Sequence, residues 1–480
     1  MVFPFDLDTR FEKRWQALAD QSRTRLAAQQ IAAGEPGTIL KDVDVIIQFI
    51  GPEGIATRSR NAAFPAERLA ELDAKVGHQI ELSLKRPLLR DYPNLAGLFI
   101  LMRAMDLLRM KGNRLVLCPA ALATWRGLNA TEQYFALMEA LLFHADSSIL
   151  GGHRSRRQEG PAFQLVSFFL ATLSDRWRDF NGYETIYFLG PTGEIPPWNL
   201  FVQQQLGVIE ARRRAAPDKR YHSGGRGWLI GQARLTPWGT AVAWALMDFL
   251  RREVAAAAEE EKKRGTAGSA VGPRQLELLT STGPLDRDLP DMTDELDELD
   301  FESDEDADEP ALEPQFGILR PTFQPYFPEW KTNYARPRPE ARPGIYILKV
   351  SLGGWRAGST AIWRRLAVPP GHSLDSLAGA ILRAFRFDND HLYDFSYRDS
   401  RGKNRTFNHP CSHDAPHTTE ITLGETGLAV KDEMLFTYDY GDTWKFNVKL
   451  EKIDPECHVR RPKVIASAGK PPKQYPNGEW

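Results

Sequence analysis

Four side chains in the last third of the sequence have the types for acid–base or metal chemistry: His391, Asp394, Asp439 and Asp442. A histidine with two carboxylates can hold a divalent cation, and a carboxylate beside an imidazole can tune it as a general base. They converge only if the strands carrying them are neighbours. The structural alternative is preferred: Asp442 accepts backbone hydrogen bonds in the turn at Gly441, His391 caps a helix end, and Trp363 and Trp444 belong to a core. A second group, His409, Cys411, His413 and His417, is the densest set of zinc-type ligands in the chain. Its spacing matches no finger or ribbon, and Pro410 and Pro416 restrict how the loop folds back. A solvated loop is expected, with no metal and no cofactor. The sequence contains no nucleophile elbow, phosphate-binding glycine loop or H-E-x-x-H helix.

A different chemistry is written upstream. Arg212, Arg213, Arg214, Lys219, Arg220 and Arg226 crowd a glycine-containing stretch in which Asp218 is the one acid. Such charges on an exposed loop suit phosphate contact, which supplies most protein–DNA hydrogen bonds. Asn199 and Gln203 to Gln205 on the preceding helix are candidate base readers, since glutamine can pair with adenine. The same residues also suit a solvated surface or a protein–protein module.

The elements that must position these groups follow from periodicity. At 480 residues the chain holds several cores, and three wide-spaced cysteines form no disulfide framework, so a reducing, cytoplasmic setting is expected. No secretory signal and no span apolar enough for a bilayer is evident, so no membrane partner is expected. Net charge is −2, but thirteen acids and no bases lie between Asp291 and Pro314; without that run the chain stands at +11. Low hydrophobicity and like charge make residues 255–325 a disordered acidic linker. Phe11–Ile31 has helical character, and D-V-D-V-I-I-Q-F-I, residues 42–50, reads as a strand. Residues 1–150 read as a helical domain. Leu95, Leu98, Phe99, Met102, Met105 and Leu108 stripe one helix face, Arg114–Leu117 forms a strand, and Asn129 with Glu132 forms a capping box. In 151–254 a helix ends at Gly207, strands Val208–Ala211 and Trp228–Leu235 flank the basic loop, and Thr236-Pro237 opens a helix. This order resembles a bacterial winged-helix module, and the first stretch resembles a looser copy.

Residues 326–480 read as an α+β domain: strands at IYILKVSL, AIWRRLAV, HLYDFSYRD and LFTYDYGDTWKFNVKLEKI, with one helix N-capped by Ser373. Ile362-Trp363-Arg364-Arg365, His391-Leu392-Tyr393-Asp394-Phe395, Tyr438-Asp439-Tyr440-Gly441-Asp442-Thr443-Trp444 and Pro471-Pro472-Lys473-Gln474-Tyr475 occur in that order. These motifs resemble the plasmid pRiA4b ORF-3 family. The resemblance singles out Trp363, Arg364, Arg365, His391, Asp439, Gly441, Asp442 and Trp444 as family-motif residues, and implies an association with plasmids and transposable elements. Family members often carry a histidine two positions after the motif tryptophan; Phe446 stands there, which removes support for an enzyme. The expectation is therefore a non-enzymatic bacterial protein, DNA-associated or mobile-element-related. The alternatives are an interaction scaffold with protein partners and a metal-dependent enzyme using His391, Asp439 and Asp442.

Overall fold

The computed structural model describes residues 9–57, 64–80, 82, 87–111, 113–145, 149, 176–179, 197–214, 229–264, 315–337, 341–353, 362–399, 404–412 and 416–475. They form two units, one comprising the described residues up to Arg264 together with Gln315–Arg336, the other beginning at Pro337. The acidic run lies outside the described residues.

The first unit opens with helices α1 (Thr9–Ala28) and α2 (Ile39–Ile50). The strand expected within α2 is a helix. Its D-V-D-V start alternates like a strand, but Ile39, Leu40, Val43, Ile46, Ile47 and Ile50 recur at helical spacing and are all buried. Burial of that stripe outweighs the strand preference of β-branched residues. Asp42 lies inside it and is satisfied by Thr38 Oγ1 (2.7 Å), the Gly77 N–H (2.7 Å) and Gln205 Nε2 (3.1 Å).

Two modules of one design follow. In the first, β1 (Ile55–Ala56) joins a hairpin of β2 (Leu108–Lys111) and β3 (Arg114–Leu117), preceded by α3 (Leu69–Asp73) and α4 (Pro93–Ala104) and followed by α5 (Pro119–Arg126). After α6 (Ala130–Glu139, continued to His144 by a π turn), the second places β4 (Arg178–Asp179), α7 (Pro197–Gln205), β5 (Ile209–Arg214), β6 (Leu229–Leu235) and α8 (Pro237–Arg264) in the same sequence. Both sheets are antiparallel with the first strand beside the third, β1-β3-β2 and β4-β6-β5. The correspondence reaches single hydrogen bonds. Cys118 N–H donates to Leu107 O as Thr236 N–H does to Val208 O, both at 3.0 Å, and each closes a hairpin before a proline-started helix. The turn from helix to hairpin is left-handed in both, at Asp106 (φ +62°) and Gly207 (φ +72°). Gly207 is needed twice over, because a Cβ there would lie 2.2 Å from Pro36 O. The modules pack through α4 and α7. Gly97 allows it, since a Cβ would fall 2.2 Å from Val202 Cγ2. Every residue of α4 is buried.

Residues 315–336 complete this core. Phe316, Leu319, Phe323, Phe327, Trp330 and Tyr334 are all buried in it, with α9 (Arg320–Phe323) in the middle. The boundary expected at residue 325, between linker and C-terminal domain, falls inside this stretch. Its apolar residues pack instead on α6, where Trp330 stacks on Phe135 at 4.5 Å.

The second unit has its own core. Strands β7 (Ile345–Leu352), β8 (Trp363–Val368), β9 (Tyr393–Arg398), β10 (Asn404–Asn408), β11 (Glu433–Tyr438), β12 (Trp444–Asp454) and β13 (Lys463–Ala468) form one antiparallel sheet in the order β10-β9-β11-β12-β7-β8-β13. Helix α10 (Leu374–Phe385) packs on one face. Its N-cap is Ser373, whose Oγ accepts from the Ser376 N–H at 3.1 Å, as expected. Strand alternation sends Tyr346, Leu348 and Val350 to the helix side along with Phe395, Phe436, Phe446 and Val448. Strands β10 and β13, which the sequence reading did not mark, are the two edges.

Candidate functional site

The C-terminal motifs meet at one end of the sheet, where β11 turns into β12. Tyr438 ends β11; Asp439 follows with φ +56°, and Thr443 with φ +52° leads into β12. Asp439 Oδ1 accepts from the Gly441 N–H (3.0 Å) and the Asp442 N–H (3.2 Å). The turn acceptor is therefore Asp439, where Asp442 had been expected. The Asp439 N–H donates to Leu392 O at 2.9 Å, tying the turn to the loop after α10. His391 stands in that loop and does not cap the helix. Its Nε2 is 3.8 Å from Asp439 Oδ2, too long for a hydrogen bond, and its side chain is 44% exposed.

The tail closes over this end. Gln474 Nε2 lies 3.0 Å from Asp390 Oδ1, 3.2 Å from the Tyr438 hydroxyl and 2.6 Å from the Tyr475 hydroxyl, and its Oε1 accepts from the Asp388 N–H at 2.6 Å. Tyr438 donates to Asp390 Oδ1 at 2.7 Å and Tyr475 to Asp390 Oδ2 at 2.8 Å. Burial pushes the Asp390 carboxyl up, but the donations from Tyr438, Tyr475 and Gln474 outweigh it and hold it below its ordinary value. Burial and the Asp390 charge push Tyr438 up and Tyr475 to about 12. Both phenols stay protonated as donors, and Asp390 accepts from three side chains, Tyr438, Tyr475 and Gln474. The group behaves as a clasp that ties the tail to this end of the sheet. Asp390 and Gln474 were not singled out from sequence, and the Pro471–Tyr475 motif was the one signal for them.

Asp394 is not part of this group. It lies on β9, where burial raises its carboxyl to about 6 against the Tyr440 hydroxyl and Lys445, which lower it. Asp442 joins the turn through its backbone. Of the four candidates, the structure brings together His391 and Asp439.

The other family-motif residues are framework. Arg364 is buried and donates to Ala384 O (2.9 Å), Trp363 O (2.8 Å), Ala468 O (2.9 Å) and Gly469 O (3.2 Å), with its guanidinium over Phe385. Arg365 pairs with Glu451 at 2.6 and 3.1 Å and also covers Trp363. Trp444 is buried edge-on to Phe387 at 4.8 Å. Phe446 packs on Phe385 at 4.9 Å and is fully buried, so it holds a core position.

In the loop after β10, His409 Nδ1 accepts from the Cys411 N–H at 3.0 Å. His417 has Nδ1 3.3 Å from Glu420 and Nε2 3.2 Å from Ser412 O. His413 lies outside the described residues, among which no three ligating side chains gather for a metal.

In the first unit, Arg212 and Arg213 belong to β5, which runs three residues further than expected. Both are exposed. Arg212 lies over the Trp177 ring at 3.9 Å, with Arg234 over the same ring at 4.7 Å. Arg213 reaches Ile80 O at 3.4 Å. Arg214 ends the strand, and Lys219, Arg220 and Arg226 lie outside the described residues, as does the basic run from His153 to Arg157. Of the candidate base readers, Gln203 is 3% exposed, held by Asn199 at 2.7 Å, and Gln205 is fully buried on Asp42, while Asn199 and Gln204 are half-buried. Among the described residues no helix is long and apolar enough to cross a membrane.

The class these features define is an α+β domain of seven antiparallel strands and one helix, with its tail clasped to its longest motif. Residues 344–480 match the model of the family described as "Plasmid pRiA4b ORF-3-like protein". A curated relative, "Uncharacterized protein y4hQ" of Sinorhizobium fredii, is 26% identical over 123 residues, covering 25% of this chain and 61% of the relative's length. The crystal structure of a "Protein of Unknown Function MM3350" from Methanosarcina mazei Go1 is 28% identical over 27% of this chain and 72% of that one, with a TM-score of 0.24.

Proposed function

We propose that the chain is a non-enzymatic, nucleic-acid-associated protein that contacts the phosphate backbone through the β5–β6 hairpin, without reading base sequence. The carrying observation is that Arg212 and Arg213 project to solvent on β5 while α4 and two of the base-reading candidates of α7, Gln203 and Gln205, are buried. In a winged-helix module the helix before the hairpin enters the major groove and the hairpin touches the backbone. The strand order of both modules supports that comparison. Here the two corresponding helices face each other, which leaves the hairpin as the surface for phosphate. Contact of this kind is electrostatic, releases counterions and falls steeply with salt. Mobile-element or plasmid biology is a natural setting, given the family whose model residues 344–480 match.

Filter binding of a duplex of arbitrary sequence across a salt series tests the proposal. The wild-type chain is expected to bind with little sequence preference, and Arg212→Ala with Arg213→Ala to lower the log–log salt slope by about 2. Binding that is absent, or indifferent to salt and to these substitutions, removes the proposal.

A further inference from the structure

One face of α6 in the first unit is covered by residues 315–334, a segment of turns around the short helix α9. Glu132, Phe135 and Glu139 are spaced three and four apart on α6 and so share one face. At one end Glu139 accepts the Gly317 N–H (2.5 Å) and the Leu319 N–H (2.7 Å). At the other, Glu132 Oε1 accepts the Lys331 N–H (2.8 Å) and the Thr332 N–H (2.7 Å), while its Oε2 closes the capping box with Asn129. Between them Phe135 meets Phe323, Phe327 and Trp330 at 4.8, 5.2 and 4.5 Å. Asn129 and Thr131 hold Glu329 through its backbone and side chain, and the Tyr334 hydroxyl donates to Met105 O. Two carboxylates thus capture backbone N–H pairs through charge-assisted hydrogen bonds, with an aromatic ladder between them.

The chain is part of the first unit on both sides of residues 265–314, as α8 before them and as the docked segment after them. We infer that the run containing the acidic stretch is an excursion from one unit, and that the α6 site holds residues 315–334 without needing the covalent connection through that run. The occupant is defined by its chemistry: two pairs of free main-chain N–H groups flanking aromatic residues at i, i+4 and i+7. A tether between independent units would behave oppositely, because cutting it would free everything downstream.

The test uses the full chain with a specific protease site inserted between Ser281 and Thr282. After complete cleavage the two fragments are expected to co-elute in size-exclusion chromatography, and the amides of Gly317, Leu319, Lys331 and Thr332 to keep their protection from hydrogen exchange. Fragments that separate, or amides that lose protection on cutting, overturn the inference. In the same cleavable chain, Glu132→Ala with Phe327→Ala is expected to weaken fragment association at least tenfold. Equal retention by that variant would show that other contacts hold the fragments, and would overturn the assignment to α6. Amide protection in the cut wild-type chain decides the matter even if the variant does not fold.

Discussion

Arg364 sits where three parts of the C-terminal domain meet: the end of α10, the start of β8 and the end of β13. Its guanidinium satisfies Ala384 O, one of the carbonyls left without a partner at a helix C-terminus, and places positive charge at the negative end of that helix. The same fork holds Ala468 and Gly469. A buried arginine with four carbonyl acceptors cannot be replaced by a point charge. Arg364→Lys is therefore expected to cost nearly as much as Arg364→Ala, about 2–3 kcal/mol by denaturant unfolding of the C-terminal domain. A lysine variant as stable as wild type would show that charge alone suffices. Arg365, one residue on, faces the other side of β8 and makes a part-exposed pair with Glu451, worth on the order of 0.5 kcal/mol. In sequence the two arginines are alike; strand alternation makes one a structural post and the other a surface pair.

At the scale of elements, legibility depended on how local the determining physics was. The capping box at Asn129 and Glu132 was readable because it is closed within four residues, as were the Ser373 N-cap and the proline start of α8. Helix α2 was misread because Asp42, which breaks its apolar stripe, is satisfied by Gly77 and Gln205, far off in sequence. The second task of Glu132, on Lys331 and Thr332, lies about two hundred residues away and left no local mark. Its companion Glu139 carries a pH consequence. Burial lifts the Glu139 carboxyl from 4.5 to about 7 in spite of the two N–H donors that lower it. The folded unit thus binds this proton more tightly than the unfolded chain does. Stability from this group is full below about 4.5 and is lost as pH rises to about 7, by at most about 3 kcal/mol. The neighbouring titratable groups, His144 stacked on Phe316 and Arg336 over the same ring, remain unchanged in Glu139→Gln. Melting of that variant between pH 5 and 8 is expected to fall less with pH than that of the wild type, whatever its absolute stability. Parallel curves would remove Glu139 as the origin.

At the scale of the molecule there are two separate cores, one closed by residues 315–336 and the other built on the seven-stranded sheet. Each has its own keystone, Glu139 in the first and Arg364 in the second. Sequence separated a first body from a second at the acidic run, where the composition changes so sharply, but it also divided 1–150 from 151–254, which share one core. It misplaced the boundary between the two bodies, because a charge run marks where a chain is solvated and says nothing of which core its flanks join. Cores that share no buried side chains unfold as separate cooperative units. Calorimetry of the full chain is accordingly expected to resolve into two transitions, Arg364→Ala lowering one and Glu139→Ala the other. Each shift should be several degrees for about 2 kcal/mol in units of this size. A single transition moved by both substitutions would mean that the two cores are coupled into one folding unit, and that dividing the chain at Arg336 does not describe its energetics.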